Sequence, residues 1–280
     1  MLRVGLIGLE STRPRRIVAA LNALNPSVYD AMVTAIVAGS AAQTAELLNL
    51  DGRGAISAVV HDPREMIGRV DAVIDCTRDG TRHLGNVESL IRQGTHLFVD
   101  KPLATSSSDA RALVGAAAQS SVVLESYSGY RRASQLPSVR ARLGAVRRVV
   151  ISGPADAESA DGGLFHYGIH HAEIAFELFG DVIELVAVKR TTSGVTAECA
   201  AGGISVCLEF VRPRAESTLP FSVVLGDESE SSRVILTLDA DYNEQMLAQF
   251  LRASRGGVSL RDPASAVPPV ALMEHIVARL

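Results

Sequence analysis

Residues 1–125 alternate short apolar runs with helix-spaced segments, and this alternation restricts the chain more than any other feature. Apolar runs of strand length occupy residues 4–9, 32–38, 56–60, 72–76, 96–99 and 122–125. Between them, Ile17, Leu21 and Leu24 recur at helical spacing behind Pro14, and residues 41–50, 81–92 and 106–118 also read as helices. Proline is favoured in a first helical turn because its missing N–H would have no partner there. Short apolar strands separated by helices of this length predict a parallel sheet covered on both faces, a doubly wound α/β domain.

The second half changes character. A helix over 135–143, a strand over 146–152 and a loop rich in Gly, Ala and Asp lead to a helix over 165–179. Five strand-like runs follow, at 183–191, 195–200, 204–210, 218–225 and 233–238, with Gly202-Gly203 as a hairpin turn between the second and third. Helices over 243–253 and 264–279 close the chain. Adjacent strands predict a largely antiparallel sheet, so the expected organisation is a Rossmann-like domain over 1–121 and an α+β domain over 122–280. A chain of 280 residues that is 47% apolar can fill both cores.

Charge and cysteine usage narrow the partners. The 27 basic and 31 acidic residues give a net charge of −4, which supports neither nucleic acid nor an anionic membrane as a partner. No apolar run approaches the ~18 residues of a membrane span, and the N-terminus enters a strand-like run without a basic, apolar leader. Cys76, Cys199 and Cys207 are scattered and odd in number, which points to reduced thiols and a cytoplasmic protein.

Three strand ends carry candidate chemistry. After the first strand, Gly8-Leu9-Glu10-Ser11-Thr12-Arg13 stands where a dinucleotide domain has G-x-G-x-x-G, and only the first glycine is present. Arg13, Arg15 and Arg16 crowd the next helical turn. They read either as contacts to the anion that such a loop cradles or as solvated arginines. The second strand ends in Gly39-Ser40, without the carboxylate that accepts from a ribose 2′-hydroxyl, so NADP is slightly favoured over NAD, with Ser40 near the 2′-phosphate. The fifth strand ends in Asp100-Lys101-Pro102. Lysine occurs only at Lys101 and Lys189 in this arginine-rich chain, so an ammonium group at a sheet edge is a signal.

These residues resemble the glucose–fructose oxidoreductase/inositol dehydrogenase (Gfo/Idh/MocA) family. Asp100-Lys101-Pro102 resembles its E-K-P motif, and Thr77 to His83 its T-P-x-x-x-H-like turn. Gly162 and Gly163, followed by His166, Gly168, His170 and Glu173, resemble its glycine-led D-x-G-x-H-x-x-D helix. Tyr130-Arg131-Arg132 with Pro137 is similar to its N-x-R-F-x-P segment. The resemblance implies an NAD(P)-dependent oxidoreductase of sugars, cyclitols or related polyols. It implies that Lys101 contacts substrate and that His170 is the acid/base, with His166 in place of the family aspartate. Gly8, Leu9, Glu10, Arg13, Ser40, Thr77, Arg78, His83 and Asp100 are the implied cofactor contacts, and Arg131, His171 and Glu173 the implied substrate contacts. The alternative is a member without dinucleotide, serving as a binding, regulatory or scaffolding subunit.

The helix over 165–179 supports a used site independently. His166, His170, Glu173 and Glu177 fall on one narrow stripe between apolar flanks (Phe165, Ile169, Phe176 and Phe179; Tyr167, Ile174 and Leu178), so buried polar groups there need polar partners. A hydrogen-bond network reads as well as a catalytic site, and a His-x-x-x-His pair permits, without specifying, a divalent metal. Val206, Leu208 and Phe210 alternate with polar residues on a broad sheet face. In the resembling family such faces pair subunits, which implies a homodimer or homotetramer through the C-terminal sheet.

Overall fold

The structure is a computed structural model and describes residues 1–23, 30–51, 54–213, 219–226 and 231–280. Leu24 and Thr218, which the sequence reading assigned to a helix and a strand, lie outside them.

The chain forms two compact units. The first comprises Met1–Ala104, Ser108–Ser126 and Ala240–Ser265. Its strands β1 (Leu2–Ile7), β2 (Ala31–Val37), β3 (Ala58–Val60), β4 (Ala72–Asp75), β5 (His96–Val99) and β6 (Leu124–Glu125) form one sheet in the order β3-β2-β1-β4-β5-β6, with every pair parallel. The strand order reverses direction between β1 and β4, and ligands of open α/β sheets bind outside the carboxyl ends at such a switch point. Helices α1 (Arg13–Ala23), α2 (Ala41–Leu50), α3 (His83–Arg92) and α4 (Ser107–Ser120) follow the strands. Val4, Leu6, Ile74, Leu97 and Phe98 are fully buried, as near-continuous apolar strands covered on both faces require.

Two features depart from the expected boundary at 121/122. Strand β6 hydrogen-bonds to β5 and so belongs to the first sheet. Helix α5 (Leu136–Arg142) belongs to the second unit, but a later helix, α7 (Tyr242–Gly256), returns to the first and packs on α1. Its Phe250 meets Phe98 edge-on, with ring centroids 5.9 Å apart. A helix that comes back from the far end of the chain leaves no local signal, because amphipathic spacing shows that a face is buried and not what it is buried against.

The second unit holds β7 (Arg148–Pro154), α6 (Phe165–Phe179), β8 (Ile183–Thr191), β9 (Gly194–Ala201), β10 (Ile204–Val211), β11 (Ser222–Gly226), β12 (Ser231–Ile235) and α8 (Val267–Val277). Its sheet runs β12-β11-β7-β10-β9-β8, and only the β7–β10 pair is parallel. Gly202 and Gly203 turn β9 into β10 with φ of 55° and 84°, the two positive values a tight hairpin turn demands. Helices α6 and α8 pack together, and α6 covers β7 and β10. Val206, Leu208 and Phe210 therefore face the chain's own core, each 1% exposed or less. The expectation that these residues pair subunits is corrected: their period-2 alternation identified a buried face, and its cover is α6.

The turn out of β1 is fixed by sterics. Gly8 has φ of 83°, and a Cβ there would sit 2.2 Å from the Thr77 backbone nitrogen. Gly8→Ala is expected to lower stability by roughly 1–3 kcal/mol from the left-handed backbone alone, with the clash against the β4 end in addition. A urea titration of the variant against the parent checks this.

Candidate active site

The first cluster lies at the carboxyl ends of β1, β4 and β5. Asp75, fully buried at the end of β4, accepts from the Thr77 N–H at 2.9 Å and from the Asn86 amide on α3 at 2.9 Å. Asn86 also donates to the Thr77 hydroxyl at 3.0 Å. Asp100 follows β5 and ion-pairs with Arg13 at 3.3 Å, and it accepts the Lys101 N–H at 3.0 Å. Burial works against the Asp100 charge, but Arg13 and then Lys101 outweigh it and hold the carboxyl below its ordinary value. Burial and then Asp100 push the Cys76 thiol well above its usual range, so it is a neutral thiol and a poor nucleophile.

Arg13 is the main correction in this unit. Besides Asp100, its guanidinium donates to Tyr242 Oη at 3.1 Å and Met246 Sδ at 2.7 Å, and it lies over the Phe98 and Tyr242 rings. The charge that the sequence offered to a cofactor anion is taken up by protein groups. Nearby, Arg15 pairs with Glu46 at 2.7 Å. Glu10 is exposed and accepts the Arg78 N–H at 3.3 Å, while Leu9 is buried. Gly39 and Ser40 are exposed, and the Ser40 hydroxyl caps α2 by accepting the Gln43 N–H at 3.3 Å. His83, expected at the cofactor, is fully buried with both ring nitrogens on backbone carbonyls. It cannot touch a ligand.

This edge nonetheless fits a dinucleotide. Gly8 keeps the β1 turn within backbone contact of β4, the first turn of α1 carries no acidic residue, and the β2 end is open at Gly39-Ser40. A helix N-terminus at a strand switch point is favourable for an anion.

The second cluster lies in the other unit, on one side of α6. His170 Nδ1 is 2.6 Å from Ser128 Oγ, which also accepts the Tyr130 N–H at 3.1 Å. The Ser128 N–H donates to Glu173 Oε2 at 2.7 Å. Arg131 lies between Glu173 at 3.8 Å and Glu177 at 3.2 Å, its side chain 7% exposed. Tyr130, Phe221 and Tyr167 surround the His170 ring at centroid distances of 5.4, 5.2 and 5.7 Å. The stripe of His170, Glu173 and Glu177 thus meets one short segment, residues 128–131.

Three expected substrate contacts are placed elsewhere. Arg131 and Glu173 are buried and hold one another, so their charges order the site from beneath. His171 is fully buried on the sheet side of α6, where its Nε2 is 3.0 Å from the Glu209 carbonyl and its ring packs on Phe210 and Phe221. His166 is half-buried beside Tyr167, which is 45% exposed. Ser128, Asp75 and Asn86 were missed. A serine's partner 42 residues away leaves no trace in local spacing, whereas an aspartate closing a buried strand was visible at Asp75 and deserved weight. Among the described residues no group of three or more His, Cys, Asp or Glu side chains could hold a metal ion, and no helix is long and apolar enough to cross a membrane.

Comparison with known proteins agrees with this fold. Residues 2–128 match the model of the Gfo/Idh/MocA group, an oxidoreductase family with an NAD-binding Rossmann fold. A 1,5-anhydro-D-fructose reductase of Ensifer adhaerens is 27% identical over 230 residues, covering 75% of this chain and 66% of that protein. The matched stretch thus falls just short of two thirds of that relative. Among solved structures, the 3-ketoreductase KijD10 of Actinomadura kijaniata, in complex with NADP and TDP-benzene, superposes with a TM-score of 0.78 at 18% identity, covering 99% of this chain and 97% of that one. A myo-inositol 2-dehydrogenase of Lactobacillus plantarum gives 0.77 at 12% identity, with 98% and 96% covered.

Burial pushes the His171 pKa down to about 4, against partial compensation from the Glu209 carbonyl and other backbone groups. A folded value below the unfolded ~6.5 means that the unfolded chain binds the extra proton first, so this contribution is complete above pH ~6.5 and is lost as pH falls toward 4. The parent is expected to lose up to ~3 kcal/mol over that window through this residue. His171→Gln, which keeps a donor, is expected to lose less, and urea midpoints at pH 7 and pH 5 measure the difference.

Proposed function

We propose that this chain is a member of the Gfo/Idh/MocA oxidoreductase family and interconverts a hydroxyl and a carbonyl group on a sugar, cyclitol or related polyol, with NADP preferred over NAD. The observation that carries the reading is the His170–Ser128 contact. Ser128 Oγ accepts from the Tyr130 N–H and has a second lone pair for a hydrogen on His170 Nδ1. A ring that keeps its hydrogen on Nδ1 presents Nε2 to take up a hydroxyl proton and, once doubly protonated, to return it to a carbonyl oxygen.

A nicotinamide cofactor bound at the carboxyl edge of the first sheet would supply or accept the hydride. Lys101 donates a hydrogen bond from its ammonium group to the reacting oxygen. His170, doubly protonated when it acts as the acid, gives its Nε2 proton to that oxygen as the carbonyl becomes a hydroxyl, keeps its Nδ1 hydrogen on Ser128, and takes the proton back on Nε2 in the reverse direction. Ser128 fixes the tautomer, and Glu173 fixes Ser128 through its backbone N–H. The exposed Tyr167 ring and half-buried His166 face the substrate beside His170, with His166 replacing a carboxylate. The absence of a carboxylate at Gly39-Ser40 and the NADP bound in KijD10 support the cofactor preference. The names of the fructose-derivative reductase, the ketoreductase and the inositol dehydrogenase support a polyhydroxylated substrate. The three unpaired thiols fit a cytoplasmic setting. Subunits pair through the second sheet on the face opposite α6, as a homodimer or homotetramer.

Titration with NADPH and NADH, followed by nicotinamide fluorescence, is expected to show micromolar binding, tighter for NADPH; no binding at millimolar concentration would leave a binding or scaffolding role instead. Lys101→Ala and His170→Ala are each expected to cut turnover about 100- to 10,000-fold with cofactor binding kept. Ser128→Ala should cost about 10- to 100-fold in kcat, the scale seen when a group that orients a working imidazole is removed. Wild-type rates in both Lys101→Ala and His170→Ala would overturn the mechanism.

A further inference from the structure

Among the described residues of the first unit His83 is the one fully buried histidine, and the mechanism above does not use it. It opens α3, with Nδ1 2.8 Å from the Pro102 carbonyl oxygen and Nε2 2.9 Å from the Thr77 carbonyl oxygen. A carbonyl oxygen can only accept, and a neutral imidazole has one N–H. Both contacts are hydrogen bonds only when both ring nitrogens carry hydrogen. Asp100 interacts electrostatically with His83 as well as with Arg13 and Lys101, and Asp75 is held on the same helix turn by Asn86.

The two carbonyls belong to the two segments that matter at this sheet edge. Thr77 follows β4, and Pro102 directly follows Lys101. Asp100, on the other side of Lys101, is anchored by its N–H to the Asp75 carbonyl at 2.8 Å and by its carboxylate to Arg13. Lys101 is thus pinned at both neighbours, by Arg13 through Asp100 and by His83 through Pro102.

We infer that His83, donating from both ring nitrogens, is a positioning residue for Lys101. It ties the segment after β5 to the segment after β4 and so fixes where the lysine backbone starts. This rests on the reading that Lys101 contacts the substrate oxygen.

Two measurements test it. In protein labelled with 15N-histidine, the ring signal that disappears in folded His83→Gln is expected to show two protonated nitrogens; a single protonated nitrogen overturns the inference. In kinetics, His83→Leu keeps similar volume but no donor, and is expected to lower kcat by about 100-fold, the cost of a small misplacement near the reacting atoms, with NADPH binding unchanged. His83→Gln, whose amide still donates, should recover part of that loss. Added to Lys101→Ala, His83→Leu should cause no further loss, because it acts through the lysine. Wild-type kcat in folded His83→Leu, or full additivity in the double variant, overturns the positioning role. Failure of the underlying reading shows differently, as retained turnover in Lys101→Ala itself.

Discussion

Two carboxylates buried at the ends of adjacent parallel strands organise the first unit. Desolvating a carboxylate costs several kcal/mol unless donors replace the lost water, and removing one donor leaves the whole cost behind. Asp75 and Asp100 meet that demand in different ways. Asp75 takes neutral donors, the Thr77 N–H and the Asn86 amide, which ties α3 to the end of β4. Asp100 takes the Arg13 guanidinium, which commits the first residue of α1 and brings Tyr242 and Met246 of α7 against it. Helix α7 is therefore held in the first unit by charge satisfaction as well as by the Phe98–Phe250 contact.

The same logic shows why some of this was legible in the sequence and some was not. Strand and helix periodicities report burial, which is a local property, and they located every strand of the parallel sheet. The positions of Lys101 and His170 were legible because a charged residue directly after a buried strand, or on a polar stripe between apolar flanks, must serve something. Partner choice was not legible. Arg13 was read either as an anion contact or as a solvated arginine, because nothing near residue 13 shows that a carboxylate waits at residue 100. His83 was an implied cofactor contact through the resemblance of its turn, and its partners are backbone carbonyls, which no side-chain pattern encodes.

In the second unit the network around α6 separates two jobs that its sequence stripe ran together. Arg131 ion-pairs with Glu173 and Glu177, donating to Glu177 from Nε while its buried Nη1 has no hydrogen-bond partner. Its effect is to hold residues 128–131 against the helix. His170 is reached only at the end of that chain, through Ser128, and its ring sits among Tyr130, Tyr167 and Phe221. Aromatic faces exclude water while leaving the hydrogen bond to Ser128 as the feature that sets the ring's orientation. His171, one residue on, is turned by about 100° and reaches the Glu209 carbonyl of the sheet, while both rings pack on Phe221.

The departures in the glycine loop also resolve into separate constraints. Gly8 is required by the fold, because the Thr77 backbone occupies the space where a Cβ would stand. Leu9 is buried and Glu10 folds onto the Arg78 N–H, so the outer loop is built from contacts to β4's end instead of from further glycines. Losing those glycines costs the sheet nothing. Arg13 is committed to Asp100, Tyr242 and Met246, and the first turn of α1 carries no acidic residue. The pairing of Arg13 with Asp100 anchors the residue that directly precedes Lys101, whose own N–H also donates to Asp100.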